Sequence, residues 1–245
     1  MRRLNEHNHS RVLPQECAMC SVCHTTEWAG INSNANNILR SARRAIVYEA
    51  GETIFHQEDN PAGIYCLMNG LVLLRNLDDF GVETAFRLIF AGQTCGWRSL
   101  FAEQPHTASA LVLETSTVCF IPSVDVLRMI DVDASLGKRF LKTVARDSGP
   151  VDALLLRSAH LNASLRLVHL ILILNKYCSK DETGPAISYR LPIKRKHIAS
   201  FIGTSRETVS RAIKELEESS LAFFRSRTVS IPDIELLKEK FKLTK

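Results

Sequence analysis

The sequence has no apolar run long enough to cross a membrane. Its longest uninterrupted apolar stretch, LILIL at 170–174, is far shorter than the ~20 residues that a spanning helix needs. The N-terminal residues begin with Arg2 and Arg3 but lack the apolar core of a secretory signal. With 45% apolar residues, the 245-residue chain can still bury a sizeable core. We therefore expect a globular, cytoplasmic protein with no membrane partner.

The seven cysteines are an odd number, which does not suggest the disulfide framework of a secreted protein. Four of them are scattered and, taken alone, are typical of small buried apolar residues: Cys66, Cys95, Cys119 and Cys178. The other three lie in the polar segment PQECAMCSVCHTTEW with the spacing C-x2-C-x2-C, followed by His24. Taken alone, this segment allows a metal or cluster site, a redox switch, or a tail without a function.

The net charge of +5 is unevenly distributed along the chain. Residues 1–161 contain 15 Lys and Arg against 17 Asp and Glu, whereas residues 162–245 contain 16 against 9. A localised basic excess is the electrostatic footprint of a polyanion partner. The C-terminal third is therefore a candidate nucleic-acid interface, although a solvated basic surface would give the same charge balance.

The hydrophobic pattern changes from β-type to helical after Pro122. From about residue 46 to residue 121, short β-type runs alternate with Gly, Asp and Asn turn signals, which predicts an antiparallel barrel or sandwich. Residues 124–174 follow a helical period, although Gly149-Pro150 is expected to bend or interrupt the helix. Residues spaced three and four positions apart form a stripe on one side of this helix. The stripe predicts either a dimer seam or a helix packed on its own β domain. The predicted seam consists of Leu136, Phe140, Asp147, Val151 and Leu154.

The basic third contains a predicted helix-turn-helix at 191–231. Ile198, Ala199 and Ile202 fit a short first helix, Gly203 supplies the turn, and Ser205 can cap a second helix. The buried face of the second helix is expected to carry Val209, Ile213 and Leu216. After it, LAFFRSRTVSIP is typical of two short strands that form a wing.

The exposed face of the second helix carries side chains suited to base edges. Arg206, Glu207, Ser210 and Arg211 lie near its N-terminus, the end that enters the major groove in this motif. Arginine pairs with guanine, a carboxylate accepts from cytosine, and serine contacts either kind of base. Basic side chains nearby are better placed for phosphates, which position the protein without specifying sequence: Lys194, Arg195, Lys196, Lys214, Arg225 and Arg227.

A β-barrel, a long helix and a C-terminal winged helix-turn-helix, in that order, resemble the CRP/FNR superfamily of dimeric transcription regulators over about residues 40–235. The resemblance is carried by EAGETIF, IYCLMNGLV, LIFAGQTCGW, LETSTVCFIP and, most specifically, IGTSRETVSRAIKELEE. It implies an α+β fold with an N-terminal antiparallel β-roll like a cyclic-nucleotide-binding barrel, a long dimerisation helix and a winged helix-turn-helix. It also implies a homodimer that binds a palindromic operator in double-stranded DNA, with RNA polymerase as a partner.

The expected domain organisation follows from this resemblance. A cysteine-rich N-terminal segment occupies 1–30, and a β-barrel sensor domain occupies 31–122. A dimerisation helix region follows at 123–161, and the winged helix-turn-helix domain occupies 162–245.

FNR-type members of the superfamily hold an oxygen-labile 4Fe–4S cluster through three N-terminal cysteines and one barrel cysteine. Cys119, in LETSTVCFIP, matches the barrel cysteine, so the resemblance implies Cys17, Cys20 and Cys23 as the other ligands. Thiolates are soft ligands suited to such clusters. The FNR arrangement leaves a wider gap before the third cysteine, so the spacing here also allows a three-iron cluster or a ligand other than cysteine. It equally allows zinc, with His24 or Cys119 as the fourth ligand, or thiol–disulfide sensing without a metal.

Cyclic AMP is not expected as the effector. Cyclic-nucleotide members carry a glutamate for the ribose and an Arg-Ser or Arg-Thr pair for the phosphate. In CGWRSLFAEQPHTASA, Trp97 stands in the place of the glutamate, and His106-Thr107 replaces Arg-Thr. Without the guanidinium, an anionic phosphate has no strong partner. A small organic effector bound at His106 and Trp97 is an alternative sensor of the same fold.

The resemblance also suggests how a signal could reach DNA. Two Asp147 side chains facing each other across the seam would keep the cluster-free protein monomeric, with Asp152 as the reserve candidate. Cluster binding would then shift the helix and offset that repulsion.

Two patterns overlap in the recognition helix. Glu207, Ser210 and Arg211 match the E-x-x-S-R of FNR-type helices, which implies half-sites like TTGAT. Arg206-Glu207 with Arg211 equally matches the CRP pattern for TGTGA.

A metal-dependent β-barrel enzyme is the rival from another class. It is disfavoured because His56 and His106 are the only histidines in the barrel and no close metal-ligand spacing links them.

Overall fold

The computed structural model describes residues 20, 22–158, 162–178 and 184–241, without the side chains of 147–158. The chain divides into two compact units, Met1–Leu77 with Arg87–Asp147, and Asp78–Phe86 with Ser148–Lys245. An antiparallel sheet, several helices and a smaller second sheet make up these units, which confirms the predicted α+β class.

The N-terminal half is built around one antiparallel sheet. A short 3-10 turn, Cys23–Thr25, precedes it. Its strands are β1 Arg44–Tyr48, β2 Gly63–Leu77, β3 Glu83–Phe90, β4 Thr94–Cys95 and β5 Ser109–Pro122. Its helices are α1 Ser33–Ala42, α2 Trp97–Ala102, α3 Ser123–Val132 and α4 Ala134–Ser158. The strand order is β1-β5-β2-β3, and β4 pairs with β2.

The long strands β2 and β5 separate two hydrophobic cores. Successive side chains of a strand point to opposite faces of its sheet. On one face, Ile64, Cys66, Cys119 and Ile121 pack against α1, α3 and the start of α4. On the other face, residues of the same strands form a second core: Tyr65, Leu67, Val72, Ala110, Val112 and Val118.

Two residues of the predicted dimer seam, Leu136 and Phe140, are instead buried inside their own chain. Leu136 is 0% exposed and Phe140 is 3% exposed, and both belong to the core of their own chain. The ring of Phe140 contacts Trp28 and Phe101 edge to face. At Leu136 and Phe140 the helix therefore packs on its own β domain, which is the alternative to a dimer seam.

The side chains of the other predicted seam residues, Asp147, Val151 and Leu154, lie outside the described residues. The sequence predicts a bend or an interruption at Gly149-Pro150, and the interruption is wrong, because α4 continues to Ser158. Proline removes a hydrogen bond from a helix but does not always end it.

The C-terminal half has a helical core closed by a small sheet. Its elements are α5 Ala163–Cys178, β6 Ile187–Arg190, α6 Arg195–Phe201, α7 Arg206–Glu218, β7 Phe223–Arg225, β8 Thr228–Ile231 and α8 Ile234–Lys240. The strand order is β6-β8-β7. Leu167, Ile171 and Leu174 of α5 are buried, and α5 packs on α7. None of the described helices is both long and apolar enough to cross a membrane.

Gly70 allows β2 to change register against β5. The pairing is irregular between Leu67 and Leu71, and Gly70 has a φ of +89° at this bulge. A Cβ at Gly70 would lie 2.1 Å from Ser116 Oγ and 2.8 Å from Ser116 Cα. Only a residue without a side chain fits at this crossing.

We expect Gly70→Ala to destabilise the protein more than Gly51→Ala. Both glycines have positive φ, but a Cβ at Gly51 meets nothing within 4 Å, so Gly51→Ala carries the backbone strain alone. The additional overlap with Ser116 should cost about 1–3 kcal/mol. Urea unfolding of both variants measures the difference, and equal midpoints would contradict this account of the crossing.

Candidate functional site

A pocket lies between the N-terminal segment and the outer face of the β2–β5 pair. Four cysteines line it, together with apolar and basic side chains: Cys20, Cys23, Thr26, Trp28, Leu39, Arg43, Cys66, Met68, Cys119 and Ile121. Its cavity volume is about 20 Å³, enough for a single water. Three of the four predicted cluster ligands thus line one pocket, and Cys17, the fourth, lies outside the described residues.

Two of the pocket cysteines lie on the sheet. Cys66 of β2 and Cys119 of β5 are Cα partners in the antiparallel ladder. Side chains directly opposite in such a ladder have Cβ atoms about 4.5–5.5 Å apart. Both residues are buried, and both are thiols rather than halves of a disulfide. Burial raises the pKa of the Cys66 thiol well above its ordinary value, and the neighbouring Cys119 raises it further.

The other two pocket cysteines lie on the N-terminal segment. Cys23 begins the 3-10 turn, and its amide donates to the Cys20 carbonyl at 3.2 Å. Two threonine hydroxyls hold the turn locally, Thr25 to the Val22 carbonyl and Thr26 to the Cys23 carbonyl. Burial raises the pKa of Cys23, Cys20 adds to this effect, and the Arg43 guanidinium partly offsets it.

The residues of the pocket fit an iron–sulfur cluster in their chemistry. Cysteine thiolates are the standard ligands of such clusters. Two N–H donors that line the pocket, Trp28 Nε1 and Arg43 Nε, are buried and have no acceptor among the described residues. Buried donors favour a partner, and the sulfurs of a thiolate-bound cluster accept hydrogen bonds. An anionic sulfur-rich group would therefore satisfy both donors.

The sulfur atoms are not converged in this conformation. Within the described ranges, no three His, Cys, Asp or Glu side chains lie close enough together to hold a metal ion. Cys66 and Cys119 are held by the sheet, whereas Cys20 and Cys23 belong to a turn with local hydrogen bonds. A metal or cluster held by all four thiols would therefore require a change at Cys20 and Cys23.

A buried glutamate anchors the wall of this pocket. The carboxylate of Glu27 accepts from Thr94 Oγ1 of β4 and from Thr143 Oγ1 of α4, each at 2.7 Å. The backbone of the same segment is held by Arg139, which donates to the carbonyls of Glu27 and Gly30. These bonds tie residues 27–30 to both the sheet and α4.

The two positions compared with cyclic-nucleotide binders lie in separate cores. Trp97 packs on the Cys66 face of the sheet, and its Nε1 donates to the Thr94 carbonyl at 3.1 Å. His106 is buried and stacks on Phe55, which belongs to the core on the opposite face. The predicted organic-effector pocket lined by both residues is therefore wrong, because the sheet separates them. Burial lowers the pKa of His106, which keeps its ring neutral at neutral pH.

The predicted helix-turn-helix is confirmed in its local geometry. Helices α6 and α7 are joined by a turn in which Gly203 has a φ of +63°. The Ser205 hydroxyl accepts from the Thr208 amide, which caps the start of α7. The predicted apolar face is buried, and Ala212 belongs to it as well: Val209, Ala212, Ile213 and Leu216.

All four predicted base-reading side chains are exposed on α7. Arg211 donates to the Thr208 hydroxyl at 3.2 Å, and Ser210 donates to the Arg206 carbonyl at 3.1 Å. The backbone N–H of Glu207 and the Ser205 side chain lower the pKa of the Glu207 carboxyl. Glu207 is therefore ionised at neutral pH and can only accept hydrogen bonds.

The predicted phosphate contacts lie on the same unit. Three lysines are exposed on or next to α6 and α7: Lys194, Lys196 and Lys214. Lys214 Nζ lies 3.5 Å from Glu218 Oε1. The wing consists of β7 and β8, with Arg225 exposed at the end of β7. Arg227 is half-buried and donates to the Leu191 carbonyl, so part of its guanidinium already has a partner.

Sequence reasoning missed the pocket residues Trp28 and Cys66, and it missed Glu27, which anchors the segment beside the pocket. Cys66 stands alone in IYCLM, and only the register of β2 against β5 brings it opposite Cys119.

We expect Glu27→Ala to open the pocket. The substitution leaves two hydroxyls without their charged acceptor, and each such bond contributes about 1.5–3 kcal/mol. Alkylation of Cys66 in the cluster-free protein should accelerate at least about tenfold, because each 1.4 kcal/mol of opening free energy is one factor of ten.

Cys95 provides the internal control for this measurement. It is buried in the core on the opposite face of the sheet, so its alkylation rate should not change. Mass spectrometry resolves the two sites, and equal acceleration at both would indicate global unfolding rather than an opened pocket.

Two family descriptions match the chain, and together they cover about two thirds of it. "Cyclic nucleotide-binding domain" matches residues 45–133, and "Crp-like helix-turn-helix domain" matches residues 165–240. The first range contains β2 to β5 and nearly all of β1, and the second contains α6 and α7.

Similar proteins include regulators of both the CRP and the FNR type. The "Cyclic AMP receptor protein" of Thermus thermophilus is 29% identical over 201 residues, covering 79% of this chain and 86% of that protein. The "Fumarate nitrate reduction regulatory protein" of Klebsiella oxytoca is 25% identical over 190 residues, covering 77% and 75%. Among solved structures, FixK2 of Bradyrhizobium japonicum shares the fold with a TM-score of 0.70 at 18% identity, covering 80% of this chain and 96% of that one. The chain therefore belongs to the CRP/FNR superfamily and is a transcription regulator of the CRP/FNR type.

Proposed function

We propose that this regulator senses oxygen or redox state through an iron–sulfur cluster bound at the cysteine-lined pocket. The observation that carries the proposal is the pocket itself, in which four thiols and two buried N–H donors surround one cavity. The FNR-type relatives support it, since a regulator of fumarate and nitrate reduction is among the similar proteins. Cys20, Cys23 and Cys119 are the ligands supported by the pocket, and Cys17 stays a predicted ligand.

A bound 4Fe–4S cluster would supply an electron-transfer centre that oxygen can oxidise and degrade. The chain's own residues determine its surroundings. Arg43 contributes positive charge beside a thiolate-rich group, and Trp28 contributes an N–H donor. Hydrogen bonds to cluster sulfurs and nearby charge are the levers by which a protein sets cluster potential.

Residues 27–30 connect the pocket with α4. Glu27 accepts from Thr143, Trp28 contacts the ring of Phe140, and Arg139 donates to Gly30. Positions 139, 140 and 143 lie on one side of the helix. A change in the N-terminal turn on cluster binding would therefore act on α4 through contacts that already exist. This is how the cluster state would control dimerisation.

The dimer interface is proposed on the exposed side of α4. Leu141 is 68% exposed and Val144 is also exposed, so this helix presents apolar surface away from its own core. Two copies paired along α4 would present two recognition helices, which matches a palindromic operator. In this proposal Leu141 and Val144 take the seam positions first predicted for Leu136 and Phe140.

DNA recognition is proposed at the N-terminal end of α7. Arg206, Glu207, Ser210 and Arg211 are exposed there, and they offer two guanidinium groups, a carboxylate and a hydroxyl to base edges. Lys194, Lys196, Lys214, Arg225 and Arg227 are the proposed phosphate contacts. When the regulator activates transcription, RNA polymerase is the proposed protein partner.

Cyclic AMP is disfavoured as the effector despite the cyclic nucleotide-binding domain. The position of the phosphate-binding arginine holds His106, a buried ring whose pKa is lowered by burial. A neutral imidazole cannot replace a bidentate guanidinium.

We expect protein purified without oxygen to contain iron and sulfide in about equal amounts, as a cubane cluster requires. It should also absorb broadly in the visible region and lose that absorption in air. Calorimetry with cyclic AMP should give no binding heat. Elemental analysis measures the iron and sulfide contents, and absorption spectroscopy before and after exposure to air measures the visible absorption.

Three results would contradict this function in different ways. Colourless protein that contains zinc would favour a zinc site. Protein without any metal that binds DNA fully would favour thiol sensing. Saturable cyclic AMP binding would assign the sensor to the barrel interior instead.

We expect Arg211→Ala and Lys214→Ala to weaken DNA binding in different ways. Loss of a base-reading arginine should cost about 1–3 kcal/mol on the preferred site and relax the choice of base at one position. Loss of a phosphate-contacting lysine should weaken binding to all duplexes alike and reduce the salt dependence by about one counterion.

Fluorescence anisotropy on duplexes obtained by in vitro selection measures both effects, at two salt concentrations. Selected sites that resemble TTGAT or TGTGA distinguish the two overlapping patterns. If Arg211→Ala reproduced Lys214→Ala in every respect, α7 would not be the base-reading helix.

A further inference from the structure

The sheet brings a fifth thiol into the proposed sensor. Cys66 lies opposite Cys119 in the β2–β5 ladder, and both line the cysteine pocket. The pairing extends through Tyr65, Cys66 and Leu67 without a register shift, so the ladder holds Cys66 directly opposite Cys119. The bulges of β2 begin only after Leu67.

Cys66 differs from Cys95, another buried strand cysteine, in the face of the sheet that it occupies. Cys66 and Cys95 are each 4% exposed and lie on neighbouring strands. Cys66 packs on the face covered by the N-terminal segment, whereas Cys95 packs in the core on the opposite face. Of these two equally buried thiols, only Cys66 lines the pocket.

We propose that Cys66 is a ligand of the iron–sulfur cluster and completes, with Cys20, Cys23 and Cys119, a set of four thiolates. This inference rests on the proposed function. Each iron of a cubane cluster takes one thiolate from the protein, so four pocket cysteines satisfy the requirement. Cys17 is then dispensable, and the tight C-x2-C-x2-C spacing needs to supply only two ligands.

The two halves of this ligand set differ in how they are held. Cys66 and Cys119 belong to a hydrogen-bonded ladder, and Cys20 and Cys23 belong to the N-terminal turn. The anchor at Glu27 lies immediately after that turn. Because the sulfurs are not converged among the described residues, a cluster held by all four thiolates would require the turn to change its position relative to the ladder. Each thiol loses its proton when it binds iron.

The matched variants Cys66→Ala and Cys95→Ala test the assignment, with Cys17→Ala as the third member of the set. All three are reconstituted with ferrous iron and sulfide in the absence of oxygen, beside the wild-type protein. We expect Cys66→Ala to hold iron at least about tenfold more weakly, since even mutation of an outer-sphere partner has that effect. Cys95→Ala and Cys17→Ala should bind iron and sulfide as the wild-type protein does.

Thermal unfolding of the cluster-free variants separates a ligand from a packing residue. Both buried cysteines lose the same sulfur atom in a core, so Cys66→Ala and Cys95→Ala should lower the unfolding temperature by similar amounts. If Cys66→Ala does not fold, Cys66→Ser supplies the second measurement. A serine oxygen at a cluster iron should alter the electron paramagnetic resonance spectrum of the reduced protein, and an unchanged spectrum would overturn the inference.

The outcomes distinguish this inference from the function on which it rests. Wild-type protein that takes up no iron would refute the iron–sulfur function itself. Wild-type protein and Cys66→Ala with equal iron, sulfide and absorption would refute only the role of Cys66, and loss of iron in Cys17→Ala would return the fourth ligand to Cys17. A Cys66–Cys119 disulfide detected in the freshly isolated protein would also overturn it.

Discussion

The antiparallel pairing of β2 with β5 is the constraint on which the rest of the N-terminal unit depends. It separates two hydrophobic cores, because alternate side chains of each strand point to opposite faces. It also brings Cys66 opposite Cys119. A shift of one residue in either strand would turn its cysteine to the opposite face of the sheet, into the other core. The register shifts between β2 and β5 occur only after Leu67, at the bulge that contains Gly70, so the pairing at Cys66 stays regular.

Glu27 is the second element that this arrangement requires. A buried carboxylate is costly unless it is hydrogen-bonded, and Glu27 accepts from Thr94 of β4 and Thr143 of α4. These bonds hold the N-terminal segment against the sheet and connect it to the helix proposed for dimerisation. In the sequence, the 3-10 turn that begins at Cys23 precedes Glu27, and Trp28, which lines the pocket, follows it. Together with the Trp28–Phe140 contact and the Arg139 hydrogen bonds, Glu27 therefore links the proposed sensor to the helix that it would regulate.

The fold was predictable to a large extent because its elements carry strong local signals. The change from β-type to helical pattern after Pro122 corresponds to the end of β5 and the start of α3. Gly203 and Ser205 predicted the turn and cap of the helix-turn-helix, since positive φ favours glycine and an N-cap favours serine. Leu136 and Phe140 were assigned to the wrong partner, because a stripe with helical spacing does not reveal whether it faces its own domain or another chain.

The sequence by itself determined the order of the elements, the exposed face of α7 and the presence of cysteines that could bind a cluster. These depend on residue types and on spacing within one element. Only the tertiary structure decided which thiols share a pocket, because Cys23, Cys66 and Cys119 lie on segments that are distant in sequence. Strand register, and not composition, makes Cys66 a neighbour of Cys119. The separation of His106 from Trp97 has the same origin, since a sheet lies between two residues that are close in the chain.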